Sequence, residues 1–198
     1  MSIIVEHEKR RNEILEHSLD VFVDEGFENA TFQKIADRSG ITRTTLYIYF
    51  KNKREIFKYS IKMLLEKIEY DIQYICEDVS LNSIEKITKV MLGVLQHLEQ
   101  NRRLLSVIFH YLLYITKSTI HPEKRIRRRV VKMRHILASL VIEGIKKGEL
   151  KKIKIKTADD FLYSFIEAAI FRLVVLRCET AGDLRTTAVF AVNELAAH

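Results

Sequence analysis

Apolar residues recur along this chain at spacings of three and four, the period of an amphipathic α-helix, from near the N-terminus almost to the end. Over 8–25, Ile14, Leu15, Leu19, Phe22 and Val23 share one face, and Gly26 supplies a C-terminal stop. Thr31 is placed to cap a short second helix over 32–39, which Gly40 ends, and Thr42 to cap a third over 43–50. A long fourth helix begins at Lys53 and carries Phe57, Ile61, Leu64, Leu65, Ile68, Ile72 and Ile75 as one stripe. Asn82 or Ser83 opens a fifth, with Ile87, Val90, Met91, Val94, Leu95 and Leu98 facing inward.

The sixth helix, over 102–115, is apolar almost all round, which predicts burial on most sides. Pro122 suits the first turn of a seventh, ending at Gly148. Thr157-Ala-Asp-Asp160 resembles a capping box opening helix eight, and Asp183 is a cap for helix nine, through Leu195. The stretch 151–156 alternates like a strand but has no partner strand, so a connector is expected there. The expectation is an all-α protein of about nine helices.

Six glycines and one proline reinforce that reading, because strand-rich folds need many turns. No apolar run approaches the roughly 18 residues of a membrane span, and the N-terminus lacks the pattern of a signal peptide. A cytoplasmic protein with no membrane contact is therefore expected. Cys76 and Cys178, inside apolar helical patterns, read as buried reduced thiols, with a disulfide as the alternative.

A net charge of +7 invites a nucleic-acid partner, but its distribution matters more than its size. Residues 1–59 hold ten basic and ten acidic side chains, whereas 31–58 holds seven basic against two acidic. The largest excess, thirteen basic against three acidic, lies at 121–156. Enzyme chemistry finds no support: there is no phosphate-cradling glycine loop, no His-Glu-x-x-His, no metal-ligand spacing and no nucleophile elbow. No cofactor, metal or catalytic residue is expected.

The densest signal is 31–57, TFQKIADRSGITRTTLYIYFKNKREIF. Two helices of about two turns, joined through Gly40 and Ile41, form a helix-turn-helix. Ile35 and Ala36 face inward, Ile41 fills the angle between the helices, and Leu46 and Phe50 anchor the second helix on the core. Arg43, Thr44, Thr45, Tyr47 and Tyr49 are left for the exposed side, with one guanidinium able to reach a guanine edge. The Lys53 ammonium is placed to meet backbone phosphate.

From Arg10 to Phe57 the chain resembles the DNA-binding domain of the TetR (tetracycline repressor-like) family of bacterial regulators. The pattern lies in Ile14, Leu15, Leu19, Phe22, Gly26 and Phe27, then Thr31, Ile35, Ala36, Gly40 and Ile41, and finally Thr45-Leu46-Tyr47, Tyr49-Phe50 and Lys53. The resemblance implies phosphate contacts from Thr31, Tyr47, Tyr49 and Lys53, and base contacts from Gln33, Arg43 and Thr44. With the capping Thr42 and with Thr45, these make up the expected DNA surface. Thr44 stands where many members have glycine, and Ile48 replaces a residue that is often polar or aromatic. The division expected is a DNA-binding domain over 1–52, with the helix-turn-helix at 31–50, and a helical ligand-binding and dimerisation domain over 53–198.

The resemblance further implies a small-molecule pocket among helices four to seven and a homodimer through helices eight and nine. Phe109, His110, Tyr111 and Tyr114, with His97 nearby, suit a mostly apolar pocket, and serve equally as core aromatics and a satisfied histidine. Helix eight is apolar on more than one face, so Phe161, Phe165, Ala169, Val189 and Val192 are candidates for a dimer interface, or for a buried helix pair in a monomer. The basic stretch 124–134 keeps a helical seam at Ile126, Val130 and Met133, so its cations form a solvated face, or else meet an anionic ligand such as an acyl-CoA or an acidic partner. The function expected is a sequence-specific repressor released from a palindromic double-stranded operator by an unknown effector. A DNA-binding scaffold governed by a protein partner is the alternative, and a helical-bundle enzyme the more distant one.

Overall fold

The computed structural model describes residues 3–116 and 123–197; of these, the side chains of 3, 4, 114–116, 123–127 and 129 are left aside. Among the described residues the chain is helical, with no strand and one isolated antiparallel bridge, Leu150 to Ala196. It divides into two compact units, Met1–Lys67 and Ile68–His198.

The first unit holds α1 (Ile3–Asn29), α2 (Phe32–Arg38), α3 (Arg43–Tyr49) and the first part of α4 (Lys53–Glu77). Helix α1 starts earlier than the apolar pattern indicates. Its regular path breaks at Gly26, whose φ of 75° and ψ of 165° are open to glycine and strained for other residues. Thr31 caps α2 by accepting from the Lys34 N–H at 3.2 Å, and Thr42 caps α3 by accepting from the Thr45 N–H at 3.1 Å. Gly40, at φ 64°, turns the chain between them and lets the Ile41 N–H reach the Ala36 carbonyl at 3.0 Å. Ile14, Leu15, Phe22, Ile35, Leu46, Ile56 and Phe57 fill the core. Full burial of one such side chain stabilises by roughly 1.5–3 kcal/mol. This compact unit extends past the helix-turn-helix because Ile56, Phe57 and Ser60 of α4 belong to its interior, the Ser60 hydroxyl donating to the Leu15 carbonyl at 3.0 Å.

The second unit contains the rest of α4, α5 (Ser83–Gln100), α6 (Arg102–Thr116), α7 (Glu123–Lys147), α8 (Ile155–Ile170) with a π-helical continuation (Phe171–Val175), and α9 (Leu184–Asn193). Asn82 is the α5 cap, completed by Glu85 as a reciprocal capping box. The core centres on Ile87, Val90, Met91 and Val94 of α5 against Leu137, Leu140 and Val141 of α7 and Leu162 of α8. Gly144 permits α7 to approach closely: a Cβ there would stand 2.7 Å from Leu150 Cγ and 2.9 Å from Ser83 Cβ.

Several expectations need correction. Helix α8 opens at Ile155, so Thr157 is already inside it and no capping box forms; the cap residue Lys154 has no side-chain bond. Asp159 and Asp160 engage Arg134 of α7 instead. The stretch 151–156 is a connector running into α8, although Lys151 donates its N–H to the Leu195 carbonyl at 2.9 Å beside the isolated bridge. Asp183 occupies the α9 cap position without a side-chain cap bond. Both cysteines are free thiols, and they are half-buried rather than buried. Pro122 lies outside the described residues.

Helix α6 departs furthest from expectation. Among its described side chains only Leu104 is buried; Phe109 and His110 are exposed, and Leu113 is 55% exposed. It packs on α5 and on the π-helical turn, Leu105, Val107, Ile108 and Leu112 are half-buried, and Phe109 and Leu113 face outward.

Candidate nucleic-acid interface

The outward face of α3 carries Arg43, Thr44, Tyr47 and Ile48, all exposed, because Leu46 and Phe50 hold the opposite face in the core. The Arg43 guanidinium donates to the Tyr47 hydroxyl at 3.3 Å and lies 5.8 Å from its ring centroid. That contact is on the same helix and exposed, so the guanidinium is held along α3 without being neutralised. Tyr47 is braced from beneath by Phe32, ring centroids 4.7 Å apart. Tyr49 is half-buried and stacks on His7 of α1 at 4.6 Å. Thr45 shares a hydroxyl hydrogen bond of 2.8 Å with Thr42, so the two steady the first turn of α3. On α2, Gln33 donates to Asp37 at 2.7 Å.

The electrostatic footprint is narrower than the count of basic residues over 31–58. Lys34 pairs with Glu25 at 2.7 Å, and Arg38 with Asp24 at 3.1 Å, so α1 carboxylates neutralise both cations of α2. Arg43, Lys51, Arg54 and Lys58 have no carboxylate partner among the described residues. These four define the positive face.

Lys53 is not one of them. Its ammonium donates to the carbonyls of Phe27, Glu28 and Ala30 at 2.8, 2.7 and 2.9 Å, which uses all three of its protons. It also lies 4.9 Å from the centre of the Phe27 ring. Burial lowers its pKa below the usual lysine value, against an opposite pull from Glu28. The expected phosphate contact therefore has no donor left, and Lys53 instead closes the end of α1 onto the start of α4.

Ile48, noted in the sequence only as a departure from the family pattern, and His7, not noted at all, both lie at this surface. Ile48 is 70% exposed and follows Thr44 by four residues, so helical spacing alone could have placed it on the reading face. His7 lies upstream of the apolar pattern that marked α1, and no local signal pointed to it.

The remaining candidates separate sharply. Phe109 and His110 line an open cleft, the His110 Nδ1 lying 2.7 Å from the Ser106 carbonyl; Tyr111 is half-buried, and the Tyr114 side chain lies outside the described residues. His97 pairs with Asp71 at 3.1 Å. Of the dimer candidates, Phe161 is exposed and Phe165 and Val189 are half-buried. Ala169 and Val192 are enclosed in the chain's own core and have no surface to offer a partner. The large apolar side chains that do face outward here are Phe171, Val175, Leu176 and Phe190. Phe190 falls opposite the buried Ala188 and Val192 on α9, a position the apolar stripe itself marks as outward.

A capped helix pair on a three-helix core, with an unneutralised guanidinium and hydroxyls on its outer helix, defines a helix-turn-helix DNA-binding protein. Residues 14–59 match the family model for bacterial regulatory proteins of the tetR family. A curated relative, the fatty acid metabolism regulator protein of Bacillus subtilis, is 24% identical over 159 residues, 80% of each chain. A TetR transcription regulator from Haloarcula marismortui has the same fold, with a TM-score of 0.82 at 18% identity over 96% of this chain and 99% of that one. The Bacillus subtilis regulator FadR, solved in complex with stearoyl-CoA, superposes with a TM-score of 0.64 at 22% identity, covering 92% of this chain and 96% of that one. Residues 14–59 thus carry the DNA-binding domain of the tetR family, and over most of its length the chain is similar to transcriptional regulators of that family. It is a DNA-binding regulator and not an enzyme. Among the described residues no helix is long and apolar enough to cross a membrane.

Proposed function

We propose that this protein is a homodimeric repressor that leaves a palindromic operator when a small molecule binds its body. The DNA-binding head, expected over 1–52, takes in the start of α4 as far as Lys67, and the effector and dimerisation body covers 68–198. The exposed, carboxylate-free α3 face carries the reading: Arg43 and Thr44 meet base edges from the major groove, while Thr31, Thr42, Tyr47, Lys51 and Arg54 meet phosphate. Tyr49, half under His7, contributes its hydroxyl edge.

Dimerisation rests on the outward Phe161 and Phe171 of α8 and its continuation, with Phe190 of α9. Three large aromatic groups in two neighbouring helices are the composition of an interface core, and two-fold pairing presents two recognition helices to successive half-sites. The relative crystallised with stearoyl-CoA supports a ligand-gated body, and α4, whose residues belong to both units, is the element through which ligand would act.

The test is electrophoretic mobility shift on the DNA upstream of the protein's own gene. A specific shift that a metabolite fraction abolishes supports the reading. No specific shift at moderate salt overturns it, and a shift released only by a macromolecular fraction transfers control to a protein partner.

A further inference from the structure

The exposed side of α6 does not face a featureless surface. With the π-helical turn it forms a cleft of about 440 Å³ within the second unit, inside the roughly 300–1,000 Å³ range of small-molecule sites. Phe109 and Leu113 of α6 and Leu173, Val174 and Val175 of the turn supply apolar walls. Arg102, Arg103 and Arg177 supply positive charge, and the described lining contains no carboxylate. Arg102 and Arg177 have no ion-pair partner among the described residues.

Two backbone features converge on this place. The π-helical turn forms one wall, a geometry that helices rarely adopt and that recurs at functional sites. Directly after it, Arg177 holds φ 55°, the one non-glycine residue among those described with a positive φ. It stands just past a helix end, where glycine is the usual occupant. A β-carbon is strained there, yet the position carries an arginine, and its side chain is part of the cleft lining.

We propose that this cleft binds a small amphiphile with an anionic head and an apolar body, and that such a compound is the effector. The apolar walls take the hydrocarbon portion and the unpaired arginines the head. This rests on the ligand-gated reading above and adds to it a place and a chemical class. Cys178 lines the same cleft, whereas Cys76 lies away from it beside the α4–α5 core, where burial raises its pKa. The two thiols thus form a built-in footprint and its control.

Alkylation of each cysteine in the intact protein, followed by peptide mass mapping, is measured with dodecanoate and with dodecanol. DNA release by each compound is measured in parallel. Dodecanoate at about ten times its dissociation constant is expected to slow Cys178 roughly tenfold, leave Cys76 unchanged and release DNA. Dodecanol is expected to protect far less. Arg177→Gly removes the charge while relieving the backbone strain, so the variant keeps its fold, and it is expected to weaken dodecanoate binding about tenfold or more. Equal protection by dodecanol, or an unchanged affinity in Arg177→Gly, overturns the anionic-head assignment. A Cys178 that is unreactive in the free protein overturns the cleft as an open site. DNA release by dodecanoate without Cys178 protection also overturns the site, yet leaves ligand gating intact. Protection without release upholds the site and counts instead against its role as effector pocket.

Discussion

Lys53 offers the sharpest test of the interface, because sequence and structure give it different work. If its three bonds to the carbonyls of Phe27, Glu28 and Ala30 define its role, Lys53→Met keeps the stem's packing and removes only the donors. Hydrogen bonds to charged groups contribute about 1.5–3 kcal/mol each when sheltered. Lys53 is only half-buried and Glu28 is exposed, so water recovers much of that, and about 1 kcal/mol per bond is the reasonable figure. The total of about 3 kcal/mol lowers the melting temperature by roughly 6–12 °C for a chain of this size. The salt dependence of operator binding should not change. A phosphate contact instead contributes about 0.9 to the slope of log affinity against log salt, so a two-headed complex would lose about 1.8. Arg54→Ala, exposed and without a carboxylate partner, is the control that should flatten the slope. Thermal unfolding and binding isotherms at four or five salt concentrations settle the matter. A flattened slope with an unchanged melting temperature in Lys53→Met would refute the structural role.

Arg43→Ala should cost roughly 1–3 kcal/mol on the cognate operator and relax its specificity, read by competition against single-base variants; uniform weakening on all sequences would move Arg43 to the phosphate group. Ile48, exposed on the same face, has only apolar contact to offer, for which the thymine methyl is the major-groove partner. Replacing thymine by uracil at one operator position should therefore weaken the parent by about 1 kcal/mol and leave Ile48→Ala indifferent, and equal losses in both would exclude the contact. Phe190→Glu should convert dimer to monomer in sedimentation velocity with the helical content intact; an unchanged sedimentation coefficient would place the interface elsewhere. Glu99 is raised in pKa by burial, but hydrogen bonds from Arg185 and the Ala181 N–H outweigh this, and its net pKa falls below the ordinary 4.5. A lowered folded-state pKa gives stability that is present above the unfolded value and lost as pH falls through the folded one. Glu99→Gln should thus be less stable than the parent at pH 7, with the gap closing as the pH falls below the ordinary glutamate range; a gap that persists in acid would point to lost packing.

Helix identity was legible wherever a local rule decides it. Thr31, Thr42 and Asn82 were readable as caps because the cap bond is made within three residues. Gly40 and Gly148 were readable because a positive φ is a property of one residue. The failures at Thr157 and Lys53 involve a partner distant in sequence. Thr157 looked like a cap, but α8 begins earlier and Asp159 and Asp160 serve Arg134, some 26 residues away. Lys53 looked like a phosphate ligand because its three acceptors, at 23–26 residues' separation, leave no mark in the sequence around it.

The apolar surface of the second unit shows where pattern reading reaches its limit, and why. Periodicity states that α6 and α8 have more apolar surface than one core needs; it cannot state what covers the surplus. The structure divides that surplus by its chemistry. Around Phe161, Phe171 and Phe190 the exposed groups are large, aromatic and spread over neighbouring helices, the composition of a surface that meets another protein. Phe109 and Leu113 line an open cleft together with arginines, and one of those arginines occupies a strained backbone position. A second copy of the chain gains nothing from burying unpaired guanidinium groups, which a self-complementary interface would have to desolvate without carboxylates to meet them. An anionic small molecule does meet them. On the proposed reading the same excess of apolar residues serves two purposes, and the placement of Arg102 and Arg177 tells them apart.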